Sequence, residues 1–338
     1  MRIGITGAGR IGAMHACNLS QLSGVDELIL HDPLPGRAQG VATQLAGSTV
    51  RIRTVEGYSE LLGQVDGVVV ATPTTTHADL VLLAVAAGVP TLCEKPAADN
   101  EPRLRDMVEA VDRSGVEVLV GFQRRFDPPL VEMRRRVLAG ELGTVYHVRA
   151  LGQDHEPPDL GFIPTSGGMF RDLFIHDLDA IPWLVDEPVV EVYATGSVLV
   201  DDAFAASGDV DTAVVLLRFA SGTLATLTGG RRDGLGYDHR IEVIGSRDAL
   251  VVGLDERTPL TSLEPSGPVS GPGAYRGFAE RFAHAYAAEV AAFVEVVAGR
   301  AGNPSPVRDS LVSVVLAGAC ERSRAAGAPV RMPLGIAA

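Results

Sequence analysis

The chain has 338 residues, 46 % apolar and 21 % charged, the profile of a globular protein long enough for two domains. A net charge of −13 argues against nucleic acid or an anionic membrane as partner, because phosphate binding needs clustered cations, and the short basic runs Arg124-Arg125, Arg134-Arg135-Arg136 and Arg231-Arg232 read as solvated helix or turn faces. Three scattered cysteines (Cys17, Cys93, Cys320) make neither a disulfide framework nor a zinc spacing, the apolar run Leu80 to Val89 is too short to span a bilayer, and the chain opens on a strand instead of a signal peptide, so a cytoplasmic protein is expected.

Arg2 to Thr6 reads as a buried strand, and Gly7-Ala8-Gly9-Arg10-Ile11-Gly12 follows at once. Ala13 to Leu22 has helical apolar spacing, and a second strand, Glu27 to His31, ends at Asp32. Each part has a task in one βαβ unit. Gly7 permits the tight turn, Gly9 lets the backbone approach a pyrophosphate, and Gly12 lets helix and strand pack closely, while the helix N-terminus, begun by Arg10 and Ile11, faces phosphate charge. Asp32 is placed to accept hydrogen bonds from the adenosine ribose hydroxyls. Its carboxylate would repel the 2′-phosphate of NADP, so NAD is the expected cofactor. Arg37, one helical turn on, could offset that repulsion, which leaves NADP open.

The alternation continues with strands at Val50 to Thr54, Gly67 to Thr72, Val89 to Glu94 and Val116 to Val120, and helices at Ser59 to Gln64, Ala78 to Gly88 and Glu101 to Ser114. This pattern predicts an α/β domain over residues 1–122, a Rossmann-type, doubly wound parallel sheet. Ligands of such sheets bind at the carboxyl ends of the strands. Those ends carry Gly7 and Gly9, Asp32, Thr72-Pro73 with His77, Glu94-Lys95-Pro96, and Gly121 to Arg125. Thr72, Pro73 and His77 suit a nicotinamide ribose, and they equally suit a helix N-cap before Ala78. Lys95 stands out for another reason: it is the one lysine, against 28 arginines. A guanidinium keeps its proton, whereas an ammonium is a compact donor able to pass one.

After Arg125 the pattern changes. A helix (Pro129 to Ala139), a strand (Val145 to Leu151) and a Gly- and Pro-rich loop through Gly168 lead to a helix from Phe170 to Val185. Strands at Val189 to Val200, Asp211 to Ala220, Thr223 to Thr228, His239 to Ile244 and Ala249 to Val252 follow, and helices at Phe278 to Val297 and Asp309 to Ala325 close the chain. Residues 123–338 therefore predict an α+β domain with an open, largely antiparallel sheet, whose last helix could pack back on the first domain. Along the helix at 170–185, Phe170, Phe174, Leu178, Ile181 and Val185 form a core stripe, while Asp172, His176 and Asp179 form a polar one flanked by Ile175 and Trp183. A polar stripe with apolar flanks fits a cleft wall better than a solvated face. No ligand spacing supports a metal there. In Asp211 to Ala220 both alternating faces are largely apolar, so one packs on helices of its own subunit and the other wants cover from elsewhere; a homodimer or homotetramer is expected.

Together, Gly7-Ala8-Gly9-Arg10-Ile11-Gly12, Glu94-Lys95-Pro96, Gly121-Phe122-Gln123-Arg124-Arg125-Phe126-Asp127, Ser166 to Asp172 with Ile175-His176-Asp177-Leu178-Asp179, and Glu280 to Tyr286 resemble the GFO/IDH/MocA family of nicotinamide-dependent oxidoreductases, and within it the inositol-dehydrogenase branch. The resemblance implies NAD-dependent oxidation of a cyclic polyol's secondary alcohol to a ketone, with Lys95, Asp172 and His176 as catalytic residues, Asp179 and Tyr237 touching the polyol, and a cis Lys95–Pro96 peptide. Arg125 and Asp154 join them as expected substrate contacts. Where similar enzymes read Ser-Arg-Asp-Pro, this chain has Gly152-Gln153-Asp154-His155, and Pro182 stands where an arginine precedes the helix's Trp. Another sugar as substrate, or a glycosidase that retains NAD, are the alternatives.

Overall fold

Short apolar strands interleaved with amphipathic helices dictate the first architecture. In the computed structural model, which describes residues 1–267, 269 and 273–333, these are β1 (Arg2–Thr6), α1 (Arg10–Leu19), β2 (Glu27–His31), α2 (Arg37–Gln44), β3 (Arg51–Thr54), α3 (Tyr58–Leu62), β4 (Gly67–Val70), α4 (Thr74–Ala86), β5 (Thr91–Glu94), α5 (Glu101–Ser114) and β6 (Val118–Gly121). The six strands pair in parallel in the order β3-β2-β1-β4-β5-β6. The order reverses beside β1, the switch point where a doubly wound sheet opens a crevice for a ligand. Helix α5 shows the local logic most plainly. Asn100 caps it by accepting the Arg103 N–H, Leu104, Met107 and Val108 are its buried face, and Gly115, at φ 68°, ends it in the left-handed region.

The second architecture comprises α6 (Pro128–Leu138), β7 (Val145–Gln153), α7 (Met169–Asp172), α8 (Ile175–Val185), β8 (Val189–Ser197), α9 (Asp202–Ala206), β9 (Thr212–Phe219), β10 (Leu224–Gly230), β11 (Asp238–Gly245), β12 (Ala249–Val252) and α10 (Phe278–Arg281), followed by α11 (Ala283–Val297), α12 (Ser310–Ala326) and β13 (Val330–Arg331). Its sheet runs β12-β11-β7-β10-β9-β8-β13, antiparallel throughout except for β10 against β7. One face of β9 (Ala213, Val215, Leu217, Phe219) is buried, in a core that also takes in Phe170, Phe174, Leu178 and Ile181. Among the described residues no helix is long and apolar enough to cross a membrane.

The chain forms two compact units, Met1–Asp127 with His284–Leu311, and Pro128–Ala283 with the segment from Val312 on. The first unit thus runs a few residues past 122, because Phe126 is buried in the Rossmann core. The helix that returns to that unit is α11 and not the last one. Val290, Phe293 and Val294 join Ile3, Leu28 and Val69. A Cβ on Gly67 would stand only 2.7 Å from Val297, so the glycine admits this close approach. The segment 303–307 covers the free edge of β6: Val120 N–H donates to Ser305 O and Val307 N–H to Val118 O.

Two stretches that read as single helices are broken. Between Asp172 and Ile175 the Phe174 N–H reaches back five residues to Met169 O, which shifts the ladder and seats Phe170 and Phe174 edge-on, 5.9 Å apart. Asp172 therefore closes α7, while His176 and Asp179 belong to α8. The second break falls at Phe282, where the chain passes from one unit to the other.

Candidate active site

In the first unit the carboxyl ends of the parallel strands gather the predicted cofactor residues. Gly7, at φ 94°, lies against Ala71, whose carbonyl oxygen would stand 2.4 Å from an added Cβ. A Cβ on Gly12 would meet the Gly7 oxygen at 1.8 Å, whereas one on Gly9 would meet nothing within 4 Å. Two glycines are thus fixed by internal packing, and the middle one leaves the N-terminus of α1 open on its outer side. That is the arrangement a pyrophosphate needs. Arg10, exposed, and Ile11, half-buried, begin that helix.

Asp32 follows β2, and its carboxylate accepts the Ala8 N–H at 2.7 Å and the Leu34 N–H at 2.9 Å. It is tied to the glycine turn, and a carboxylate has further acceptor sites for ribose hydroxyls. Arg37 is the exposed first residue of α2.

The Thr72-to-His77 segment begins α4 four residues earlier than the pattern suggested. Pro73 stands at the N-cap with no side chain capping. Thr72 and Thr76 share a hydroxyl bond of 2.7 Å instead. His77 is 1 % exposed, and its ring nitrogens lie 2.8 Å from the carbonyls of Pro96 and Thr72. Burial lowers its pKa despite those carbonyls. It sits between the end of β4 and the bend after Lys95, and as a neutral imidazole with one N–H it donates to one of these two carbonyls.

Lys95 follows β5 directly, its backbone N–H donating to Glu94 Oε2 at 3.2 Å, and the Lys95–Pro96 peptide is cis. Glu94 is turned inward. His15 Nε2 lies 2.6 Å from its Oε1. Burial works to raise the Glu94 carboxyl, but the His15 hydrogen bond and the charges around it win and hold it below the usual range. Arg125 is buried too, its Nη1 2.7 Å from Asp309 Oδ2.

The second unit places two of the predicted acids, Asp172 and Asp154, on an arginine that sequence reasoning set aside. Arg231, 3 % exposed, reaches Asp172 Oδ2 with Nη2 at 3.0 Å and Asp154 Oδ2 with Nη1 at 3.2 Å. Burial opposes its charge, but the two carboxylates more than offset this and keep the guanidinium charged. The parallel register sets the geometry: Gly230 pairs with Gln153, so Arg231 and Asp154 leave adjacent strand ends. Glycines make room here, since a Cβ on Gly229 would stand 2.1 Å from Gly152 O and 2.6 Å from Phe174. The Arg231-Arg232 pair therefore does not form a solvated turn, because its first member is a buried bridge. The signal that could have found it is the Gly229-Gly230 run ending an apolar strand.

Asp179 is 3 % exposed and His176 half-buried on α8. Tyr237 is 7 % exposed and stacks on His239, ring centroids 4.3 Å apart. His155 is held by the Asp233 carbonyl at 2.9 Å and by Arg276 Nη1 at 2.9 Å.

Residues 1–122 match the oxidoreductase family with an NAD-binding Rossmann fold, and residues 130–251 match the GFO/IDH/MocA C-terminal domain. The chain belongs to the GFO/IDH/MocA oxidoreductase family. Full-length likeness agrees with this. The chain is 39 % identical over 330 residues to the myo-inositol dehydrogenase Hyg17 of Streptomyces leeuwenhoekii, covering 97 % of this chain and 98 % of that one. It is 35 % identical to the inositol 2-dehydrogenase of Rhizobium meliloti, covering 96 % of each. A crystal structure of a myo-inositol dehydrogenase from Corynebacterium glutamicum superposes with a TM-score of 0.88 at 32 % identity, covering 99 % of each chain. As a GFO/IDH/MocA oxidoreductase the protein carries an NAD-binding Rossmann domain, and the turn at Gly7, Gly9 and Gly12 with Asp32 fits that cofactor on its own geometry.

Proposed function

We propose that this protein is an NAD-dependent dehydrogenase of a cyclic polyol, an inositol, oxidising one ring secondary alcohol to a ketone. The observation that carries the reading is likeness at 39 % identity across 97 % of the chain to a myo-inositol dehydrogenase. Bound NAD⁺ supplies the hydride acceptor. The glycine turn and the start of α1 hold its pyrophosphate, and Asp32 holds its adenosine ribose and disfavours a 2′-phosphate.

Losing hydride from carbon requires the hydroxyl proton to leave too. His176 is the natural base, since imidazole is the side chain whose ordinary pKa lies near neutrality. Asp172, braced by Arg231, orients that ring. Lys95 donates to the substrate oxygen and stabilises developing alkoxide. Asp154, Asp179 and Tyr237 are read as contacts to the remaining hydroxyls, whereas Arg125, committed to Asp309, is read as a brace for the strand end.

A cytoplasmic homodimer or homotetramer accompanies this reading. On the outward face of β9, Val214 is 44 % exposed, and Leu216 pairs across the ladder with Tyr193, which is 38 % exposed. Such apolar surface wants cover, and a monomeric mass by light scattering would count against it. The activity test is NADH absorbance with NAD⁺ and a panel of myo-inositol, scyllo-inositol, glucose, xylose and a glycoside. NADH formation is expected with an inositol. Its absence with every polyol would sink the proposal, and sugar released from the glycoside without net NADH would replace it with the glycosidase reading.

A further inference from the structure

One side-chain cluster plays no part in the reaction as outlined. His15 of α1, Glu94 at the end of β5 and Glu289 of α11 are all buried, and a ligand-type atom from each lies within 4.8 Å of the others. The spacing decides what the cluster holds. His15 Nε2 and Glu94 Oε1 stand 2.6 Å apart, a charge-assisted hydrogen-bond distance. Two ligands of one tetrahedral ion, each at ~2.1 Å, would stand roughly 3.4 Å apart. A proton, and not a metal, fits between them.

Glu289 is the unusual member. It is 0 % exposed, and neither of its oxygens has a hydrogen-bond partner. An ionised carboxylate left so would carry its full desolvation cost beside a second negative charge. Burial first, and the Glu94 charge second, push its carboxyl well above the usual range. Among the described residues, the charge that acts on Glu289 is that of Glu94, and it is negative. Cys93 of β5 is kept a thiol by burial and by Glu94, burial lowers the pKa of His77 on α4, and Tyr286 of α11 meets the His15 ring edge-on at 6.0 Å. Lys95 acts on Glu94, whose other oxygen takes the Lys95 backbone N–H.

We propose that Glu289 stands as a neutral acid against the His15–Glu94 pair, and that this cluster positions Lys95 through the Glu94 carboxylate. Glu289 and His15 are positioning residues, and the proposal rests on the reading of Lys95 as the donor to substrate. While Glu289 keeps its proton, Glu94 is the cluster's single carboxylate and stays between His15 and the Lys95 peptide. Once Glu289 ionises, repulsion drives Glu94 from that place and Lys95 loses its support. The expected consequence is a loss of turnover on the alkaline side that comes from Glu289 alone.

The test compares wild type with Glu289→Gln and Glu289→Met, two neutral near-isosteres, at saturating NAD⁺ and myo-inositol. The ratio of variant to wild-type kcat is expected to rise by about tenfold or more between roughly pH 7 and pH 10. Calorimetric unfolding at neutral pH in buffers of different ionisation enthalpy is expected to release about one proton fewer from either variant. A flat ratio, an unchanged proton count, or failure of both isosteres to fold would overturn the proposal. Lys95→Ala run alongside separates the two readings. Normal turnover in that variant would remove Lys95 from the reaction and the kinetic half of this proposal with it, whereas the proton count, which uses no catalysis, still decides the state of Glu289.

Discussion

Replacing Arg231 by methionine, which keeps most of the side-chain volume, removes the guanidinium that bridges Asp172 at 3.0 Å and Asp154 at 3.2 Å. Breaking a buried ion pair from one side costs about 3–5 kcal/mol, because the remaining charge loses its partner. Here the two carboxylate side chains are 21 % and 22 % exposed, so water recovers part of that cost and the low end, about 3 kcal/mol, is expected. For a unit of about 180 residues that corresponds to roughly 8 °C in the unfolding temperature. The loss should fall on the transition of the second unit, and calorimetry would show it. Turnover should fall as well, by about tenfold to a hundredfold, as Asp172 loses its brace, while NAD affinity by titration calorimetry stays near wild type. Arg231→Lys should recover only part of both losses, since a point ammonium cannot fork onto two carboxylates. An Arg231→Met protein that melts within about 1 °C of wild type would refute the argument.

Three further outcomes follow from named contacts. Gly12→Ala should fail to form a stable Rossmann unit, because its Cβ would stand 1.8 Å from a backbone oxygen; Gly9→Ala should melt like wild type yet bind NAD about tenfold or more weakly, and titration calorimetry with a thermal scan checks both. Lys95→Ala or →Arg should lower kcat by about a hundredfold or more with NAD affinity retained, measured by steady-state kinetics. Asp211 takes N–H bonds from Leu199, Val200 and Asp201, and these, opposing burial, hold its carboxyl below the usual range. Its stability contribution is therefore present above the unfolded value of about 3.9 and lost as pH falls through the lower folded one. Asp211→Asn should be less stable by about 1–3 kcal/mol near neutrality, with the gap closing in acid denaturation series.

How far the sequence speaks depends on the range of the interaction. Glu101–Ser114 is legible to the residue because Asn100, the apolar spacing and Gly115 all act within one helix. The glycine turn and Asp32 are legible for the same reason, as parts of a single βαβ unit. The kink at Leu173-Phe174 is not, since it arises from packing two phenylalanines into a sheet formed later in the chain. Arg231 reads as part of a surface doublet until β10 pairs in parallel with β7, a partner 77 residues earlier by register (Gly230 against Gln153). Glu289 hides on an apolar helix face between Tyr286 and Phe293. A lone acid at such a position is a usable signal, but the His15–Glu94 pair beside it comes from a distant part of the chain.

The central claim, hydride passed from a ring carbon of an inositol to NAD⁺, is tested most directly with inositol deuterated at its ring carbons. Mass spectrometry of the NADH formed should find one deuterium on the nicotinamide ring and the inositol converted to a ketone. NADH formed without deuterium, or no NADH at all from either myo- or scyllo-inositol, would contradict it.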